Sequence, residues 1–259
     1  MAMKEKNRLD QALLLRGLAR DLKEAQALIM AGEARVNGQK ADRPDIRVAV
    51  SDALAIQRNR PFVSRGAAKI EKAVRDFAIR VPGLKVLDVG ISTGGFSDFL
   101  LQHGAGEVLG VDVTISQVDS GLRRDPRLRL LEKNARFLRR EDVPFVPDLV
   151  VMDLSFISIT AVLPVLAAFP EASVLALVKP QFEAARGKVG KGGVVRDRGQ
   201  RLGILRQIKK QIEEAGFAVL GCTAAGLRGR KGNQEYFFLL RRGKKNSNND
   251  KMIDDADEI

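Results

Sequence analysis

The chain of 259 residues holds one cysteine and one histidine, no tryptophan and one tyrosine. With Cys222 alone, no disulfide closes within the chain and a cysteine-rich zinc centre is excluded. His103 alone removes histidine-cluster metal sites and argues against a Ser-His-Asp triad, which needs an imidazole beside its nucleophile. No metal site is therefore expected. Aromatic residues make up only 5% of the chain, so broad base-stacking platforms are not expected either. No apolar run approaches the ~20 residues of a membrane-spanning helix. The opening stretch MAMKEKNRLDQ is charged and lacks the apolar centre of a signal peptide. The expectation is a cytoplasmic protein that does not engage a membrane.

What is present is 45% hydrophobic and 29% charged, ordinary values for a soluble globular chain. The length allows one large domain, or a medium one with a small companion. The net charge is +12, and its placement is uneven. Residues 1–60 carry 12 Lys/Arg against 8 Asp/Glu, and residues 61–183 carry 15 against 15. Residues 184–242 carry 14 against 4, and residues 243–259 carry 3 against 5. A neutral middle flanked by basic regions suits a polyanion held around a central site. A generally basic surface would give the same total.

Residues 8–54 read as a small unit. Leu9, Leu13 and Leu14 share a helix face. Asp21-Leu-Lys-Glu24 has the form of a capping box, with Ala25, Leu28 and Ile29 behind it and Gly32 placed to stop the helix. Arg35-Val36-Asn37-Gly38 predicts a strand entering a hairpin turn, and a further strand is expected over 46–50. So small a core usually sits beside a larger domain. The expected boundaries are an N-terminal α+β domain over 1–57, a basic linker over 58–65, a larger domain over 66–242, and a disordered tail over 243–259. A helix through Ile70, Ala73, Val74 and Phe77 enters the larger domain. Strands are expected at 86–89, 108–113, 128–131, 149–153, 174–178, 219–222 and 236–240, with helices over 95–103, 159–168 and 200–215. Such alternation predicts an α/β fold: a Rossmann-like, mostly parallel seven-stranded sheet covered on both faces.

Asp88-Val-Gly90-Ile-Ser92-Thr93-Gly94-Gly95-Phe96 follows a strand and opens a helix. Small residues there let the backbone approach a ligand, and the helix N-terminus offers free N–H groups. A dinucleotide fingerprint would need glycine where Ser92 stands. The order D-x-G-x-S-x-G instead resembles the first motif of S-adenosylmethionine-dependent methyltransferases, in which Asp88 would face the amino group of the methionine moiety. Asp112 ends the next strand, where a carboxylate can accept both ribose hydroxyls. Val113 follows it, and Asn134 after the third strand is placed to meet the adenine. NAD is the competing cofactor.

Asp153 and Lys179 end the fourth and fifth expected strands, at the active edge of a parallel sheet. Lys69 lies in the helix entering the domain, and Glu235 opens the last strand. Two lysines and two carboxylates balance to zero, so an ion-pair network that merely holds strands together fits the same spacing. The chemistry they suit is methylation of a ribose 2′-hydroxyl, which must lose a proton as it attacks. Burial and a neighbouring ammonium favour the neutral amine of a lysine, which then accepts a proton. Lys179 is the candidate base, Lys69 its like-charged neighbour, and Asp153 and Glu235 the orienting carboxylates. Asp153-Leu-Ser-Phe156 also loosely mimics the [DN]-P-P-[FY] motif of amino-methyltransferases, although its prolines are absent. Carbon methylation would need a cysteine nucleophile, and Cys222 comes late, in an expected strand.

RGAAKIEKA around Lys69, VLDVGISTGGFSDFLLQHGA, VMDLSFIS and LVKPQFEAARGKVGKGGVVRD together resemble the TlyA family, often called hemolysin A. The likeness runs from about residue 8 to residue 242. It implies an RNA-binding module similar to that of ribosomal protein S-four, joined to an FtsJ-like methyltransferase domain. It further implies S-adenosylmethionine-dependent 2′-O-methylation of cytidine in ribosomal RNA, with a Lys-Asp-Lys-Glu tetrad falling on Lys69, Asp153, Lys179 and Glu235. The departures are Ile91 and Ser97 in the glycine loop, and Val113-Thr114-Ile115 where Gly-Tyr is common.

For the RNA, Arg8, Arg16, Arg20, Lys23 and Arg35 lie in the small unit, and Arg60, Arg65, Arg186, Lys188 and Lys191 extend the track, as do Arg196, Arg228, Arg230 and Lys231. Such residues contact phosphates without reading sequence. Phe156 and Phe182 are the stacking candidates, each equally suited to a core. A non-catalytic ribosome-assembly factor would keep the basic track without needing the tetrad. A membrane-active hemolysin finds no spanning or amphipathic segment in the sequence.

Overall fold

The computed structural model describes residues 6–57, 61–184, 189–190, 192–229, 231–243 and 250–257. The chain divides into two compact units, one of residues 1–61 with 119–124 and one of residues 62–118 with 125–259.

In the first unit, β1 (Lys6–Arg8) leads into α1 (Leu9–Leu15) and α2 (Leu22–Met30). The carboxylate of Asp21 accepts from Glu24 N at 2.7 Å, while the Glu24 carboxylate returns to Arg20 N, also at 2.7 Å. The expected capping box is therefore present with its second arm one residue early. β2 (Ala34–Val36) and β3 (Gln39–Ala41) pair antiparallel. Between them Asn37 and Gly38 have φ of 50° and 81°, the twin positive values that a type I′ hairpin requires. β4 (Arg47–Ala49) pairs with β1, and β5 (Leu54–Ile56) pairs with β2. Leu9, Leu13, Ala25, Ile29 and Ala34 form the fully or almost fully buried centre. The sequence reading did not anticipate β1, because Lys6-Asn-Arg8 has neither alternation nor β-branched residues.

In the second unit, α3 (Ala67–Asp76) precedes β6 (Lys85–Val89), α4 (Gly95–Gln102), β7 (Glu107–Asp112), β8 (Leu128–Glu132) and β9 (Leu149–Met152). Then come α5 (Leu163–Leu166), β10 (Ser173–Val178), α6 (Pro180–Glu183), α7 (Arg198–Glu214), β11 (Phe217–Ala224), β12 (Tyr236–Arg242) and α8 (Lys251–Ala256). The seven strands of this unit lie in the order β11-β12-β10-β9-β6-β7-β8. All neighbours run parallel except β12, which is antiparallel to both β10 and β11. Every expected strand is present, with ends displaced by at most two residues. Val86, Val89, Val108, Val111, Val150 and Val151 are fully buried, as strands covered on both faces must be. On α7, Leu202, Leu205, Ile208 and Ile212 form the apolar stripe that packs into this core.

From β6 the chain builds outward in two directions, through β7 and β8 on one side and β9 and β10 on the other. The carboxyl ends of β6 and β9 therefore meet at a switch point, the crevice where doubly wound folds bind their ligands.

Two expectations fail. The helix expected over 159–168 is a 3-10 turn (Ile159–Ala161) followed by the four-residue α5. Pro164 explains this, because it lacks an N–H and disfavours helical geometry in the residue before it. The tail expected to be disordered contains α8, with Ile253 and Ala256 buried in the core. Lys209, on the buried side of α7, bridges Asp250 at 3.3 Å, and Arg201 pairs with Asp257 at 2.8 Å. Three apolar residues in so short a segment, Met252, Ile253 and Ala256, carry too little periodicity to signal a helix. Complementarity with the basic face of α7 supplies the remainder.

Candidate active site

β6 ends at Val89 and α4 starts at Gly95, so the chain turns between them. Gly90 and Gly94 have φ of 89° and 94°, open to glycine alone at low cost. A Cβ on Gly90 would stand 2.5 Å from the carbonyl oxygen of Asp153, so the loops after β6 and β9 touch only because residue 90 has no side chain. Ser92 also takes a left-handed φ, 50°, and its N–H donates to Asp112 Oδ2 at 2.9 Å. The glycine loop thereby ties down the carboxylate at the end of β7.

Asp88 is buried, and Ser97 Oγ donates to its Oδ2 at 2.6 Å. Its other oxygen, Oδ1, is buried with no partner among the described residues. Burial pushes the Asp88 carboxyl up to about 7, opposed by the Ser97 hydrogen bonds and reinforced by Asp153 and Asp112. An orphaned carboxylate oxygen costs stability unless a donor arrives. The amino group of a methionine moiety would be such a donor, and Asp112 ends the adjacent strand β7 with a second carboxylate. These residues fit the expected cofactor.

The remaining cofactor candidates separate. Val113 lies just beyond β7, is well exposed, and is free to lie against a nucleoside. Thr93 is half-buried within the loop. Phe96 is buried against Phe237, with ring centroids 5.8 Å apart, so its ring belongs to the core. Asn134 is exposed, and its side chain caps a 3-10 turn by accepting from Arg136 N at 3.0 Å, which leaves its amide N–H groups for a ligand.

The four charged candidates form two ion pairs. Lys179 Nζ lies 2.5 Å from Asp153 Oδ1, and Lys69 Nζ donates to Glu235 Oε2 at 2.6 Å. The side chains of Lys179 and Glu235 are only 8% and 4% exposed, so neither charge is left to solvent. Sheet register explains the gathering. β10 and β12 pair with Val178 opposite Tyr236, which sets Lys179, the next residue on one strand, near Glu235, the preceding residue on the other. Asp153 follows β9, and its N–H donates to Val89 O at 3.1 Å.

Three partners were not singled out from the sequence. Lys179 Nζ donates to Ser155 Oγ at 3.0 Å, Gln181 Nε2 donates to Glu235 Oε1 at 3.2 Å, and Ser97 holds Asp88. Ser155 and Gln181 each stand two residues past a tetrad member, and that spacing is the signal that could have found them. Phe156 has a φ of 67° and is 88% exposed, its ring 5.0 Å from that of Phe182. A bulky residue in that backbone region is strained and persists only where the surroundings impose it.

Of the expected RNA contacts, several serve the first unit itself. Arg8 pairs with the buried Asp10 at 2.8 Å and, through its hydrogen bonds, holds that carboxyl down at about 2. Arg16 donates to the carbonyls of Ala49, Val50 and Asp52 at 2.5–3.1 Å. Arg35 donates to Gly32 O at 2.8 Å and Gln57 Oε1 at 2.9 Å. Arg20 lies 3.5 Å from Asp21, and Lys23 is exposed. Arg65, in the second unit, is exposed and donates to Arg228 O at 3.4 Å. Arg60, Arg186, Lys188, Lys191 and Arg230 lie outside the described residues.

Comparison with known proteins completes the picture. The S4 domain family matches residues 7–54, and the FtsJ-like methyltransferase family matches residues 62–242. The 16S/23S rRNA (cytidine-2′-O)-methyltransferase TlyA of Mycobacterium tuberculosis is 42% identical over 259 residues, covering 98% of this chain and 97% of that protein. Hemolysin A of Brachyspira hyodysenteriae is 39% identical, covering 88% of this chain and 97% of that protein. A solved structure from Streptococcus thermophilus, of a protein bearing the hemolysin name, superposes with a TM-score of 0.71 at 32% identity, covering 98% of this chain and 96% of the other.

Proposed function

The chain belongs to the TlyA family of FtsJ-like methyltransferases, and we propose that it transfers a methyl group from S-adenosylmethionine to the 2′-hydroxyl of a cytidine in ribosomal RNA. The observation that carries this reading is the two ion pairs, Lys179–Asp153 and Lys69–Glu235, each with one buried member, at the switch point where the glycine loop meets Asp153. Methylation of a base at an exocyclic amine does not call for two lysines beside the cofactor loop.

Bound S-adenosylmethionine supplies an electrophilic methyl carbon on a sulfonium. Asp88, the loop from Gly90 to Gly95, and Asp112 would hold it, with Val113 and Asn134 available to the nucleoside. Transfer of that methyl group to the 2′-oxygen, with the thioether leaving, would require the hydroxyl proton to be taken up by the protein. Lys179 Nζ, held between Asp153 and Ser155, is the group placed to receive that proton. Asp153 and Ser155 set the direction of Nζ. Lys69, fixed by Glu235 and indirectly by Gln181, orients the ribose hydroxyl. Phe156 and Phe182 offer the target base an aromatic face beside Lys179, whose Nζ lies 5.7 Å from the Phe182 ring. The S4 domain holds the surrounding RNA. Among the described residues no helix is long and apolar enough to cross a membrane, so the hemolysin name carried by some relatives finds no spanning segment here. The domain limits proposed are 1–57 for the RNA-binding domain, 58–65 for the linker and 66–242 for the methyltransferase domain.

The test is methyl transfer from labelled S-adenosylmethionine to ribosomal subunits and to free ribosomal RNA, followed by alkaline hydrolysis. A blocked 2′-hydroxyl cannot cleave its neighbouring phosphodiester, so label is expected in an alkali-resistant dinucleotide containing cytidine. Label in mononucleotides would move the reaction to a base. No label, with the cofactor still bound, would favour a non-catalytic assembly factor.

A further inference from the structure

A cavity of about 360 Å³ opens in the second unit, lined by Arg196, Arg201, Arg228, Lys231, Gln234 and Asp257 among others. Four cations face one carboxylate, and the carboxylate is already committed. Arg201 Nη2 donates to both oxygens of Asp257, at 3.0 and 2.8 Å. Arg201 Nε reaches Tyr236 Oη at 3.2 Å, and its Nη1 reaches the carbonyl of Arg196 at 2.7 Å. Arg201 is therefore a neutralised floor that fixes the backbone of Arg196. Arg196, Arg228 and Lys231 are exposed, and among the described residues no carboxylate pairs with any of them.

The two walls are held in place. Asn233 is buried, accepts from Val195 N at 2.9 Å and donates to Gly193 O at 2.8 Å, so it joins the segment bearing Arg196 to the segment bearing Lys231. Gly229 N donates to Asn233 O at 2.9 Å, and a Cβ on Gly229 would stand 2.6 Å from Glu235 Oε1. The backbone that carries Arg228 thus packs directly on a tetrad carboxylate. Lys231 is four residues before Glu235, a span of at most about 14 Å. Three cations facing one cavity repel one another until an anion enters. An arginine pair with a lysine suits phosphate oxygens in particular.

We propose that this cavity binds a backbone phosphate of the RNA flanking the target nucleotide. The inference rests on the methyltransferase reading for the identity of the RNA, while the cavity itself is tested by binding. A free phosphate offers the same oxygens, so the source has to be separated by experiment.

The experiment uses the full chain with Arg196→Ala, Arg228→Ala and Lys231→Ala, and ribosomal RNA as the probe. RNA affinity is measured against salt by fluorescence anisotropy, alongside methyl transfer and S-adenosylmethionine affinity. Each variant is expected to weaken RNA binding several-fold, with the plot of log affinity against log salt shallower by roughly 0.7 to 0.9 per cation removed. Methyl transfer at limiting RNA is expected to fall in step with RNA affinity, S-adenosylmethionine affinity to hold, and Arg228→Lys to retain most RNA binding. Unchanged affinity and slope in all three variants would overturn the proposal. So would tight binding of inorganic phosphate by the full chain that RNA does not displace. If the wild-type chain transferred no methyl group to RNA, the methyltransferase reading would fall, and the cavity would still stand or fall on the binding data.

Discussion

Lys179 Nζ stands 2.5 Å from Asp153 Oδ1, bringing together the ends of two adjacent parallel strands, β10 and β9. Neither partner moves freely, since Lys179 also donates to Ser155 and Asp153 N is bonded to Val89 O. If Lys179 accepts the hydroxyl proton, Lys179→Ala should lower the rate of transfer by about 10²–10⁴-fold, the usual range for a general base. Lys179→Arg should not restore it, because a guanidinium keeps its proton at any working pH. Single-turnover rates with saturating RNA check this, and a Lys179→Arg enzyme with near-normal turnover would reduce the role to charge alone.

The second pair separates catalysis from scaffolding. Glu235 is 4% exposed, and apart from Lys69 its side chain receives Gln181. Lys69→Met should cost about 3–5 kcal/mol of stability, because removing one partner leaves a buried charge. Lys69→Met with Glu235→Leu should recover most of that loss, since apolar replacement of a buried pair is often neutral. Denaturant midpoints of both variants give the comparison. The double variant should remain inactive; full activity would make the pair structural only.

How much of this was legible beforehand differs by level. The sheet was, because runs such as Val86–Val89 and Val174–Val178 are apolar on both faces and bounded by helical stretches. The tetrad members were legible as charges at strand ends. Their pairing was not, because it depends on β12 returning antiparallel beside β10, with Tyr236 opposite Val178. Arg16 and Arg35 read as RNA contacts because a sequence does not show which carbonyls an arginine will meet on folding. The helix α8 escaped for a related reason, its docking being charge complementarity between segments far apart in the chain.

Asp88 predicts a pH dependence with a definite sign. Its folded carboxyl titrates at about 7, well above the ordinary carboxylate value, chiefly through burial. Between pH ~4 and ~7 the native state therefore binds more protons than the unfolded chain, and stability falls as pH rises across that window. Asp88→Asn carries no charge to bury. Its melting temperature relative to wild type, both without cofactor, should therefore improve from pH 5 to pH 8. The same variant should bind S-adenosylmethionine more weakly at pH 8, having lost the carboxylate that meets the amino group. An unchanged offset between the two melting curves would show that Asp88 ionises normally.

Phe156 combines two properties that rarely coincide, a left-handed φ of 67° and 88% exposure of its side chain. Folding gains little by burying such a ring, yet Phe182 meets it at 5.0 Å beside Lys179. If the ring receives the target base, Phe156→Ala should lower kcat/KM for RNA by about 10- to 100-fold, the equivalent of ~1–3 kcal/mol of stacking. Cofactor affinity should not change, because the exposed ring packs against Phe182 rather than against the glycine loop's motif residues. Phe156→Gly should lose the same stacking while relieving backbone strain, and so melt higher than Phe156→Ala. Phe156→Tyr should keep transfer near wild type. Equal kcat/KM in the alanine and wild-type enzymes would show that the strained ring serves something other than the target nucleotide.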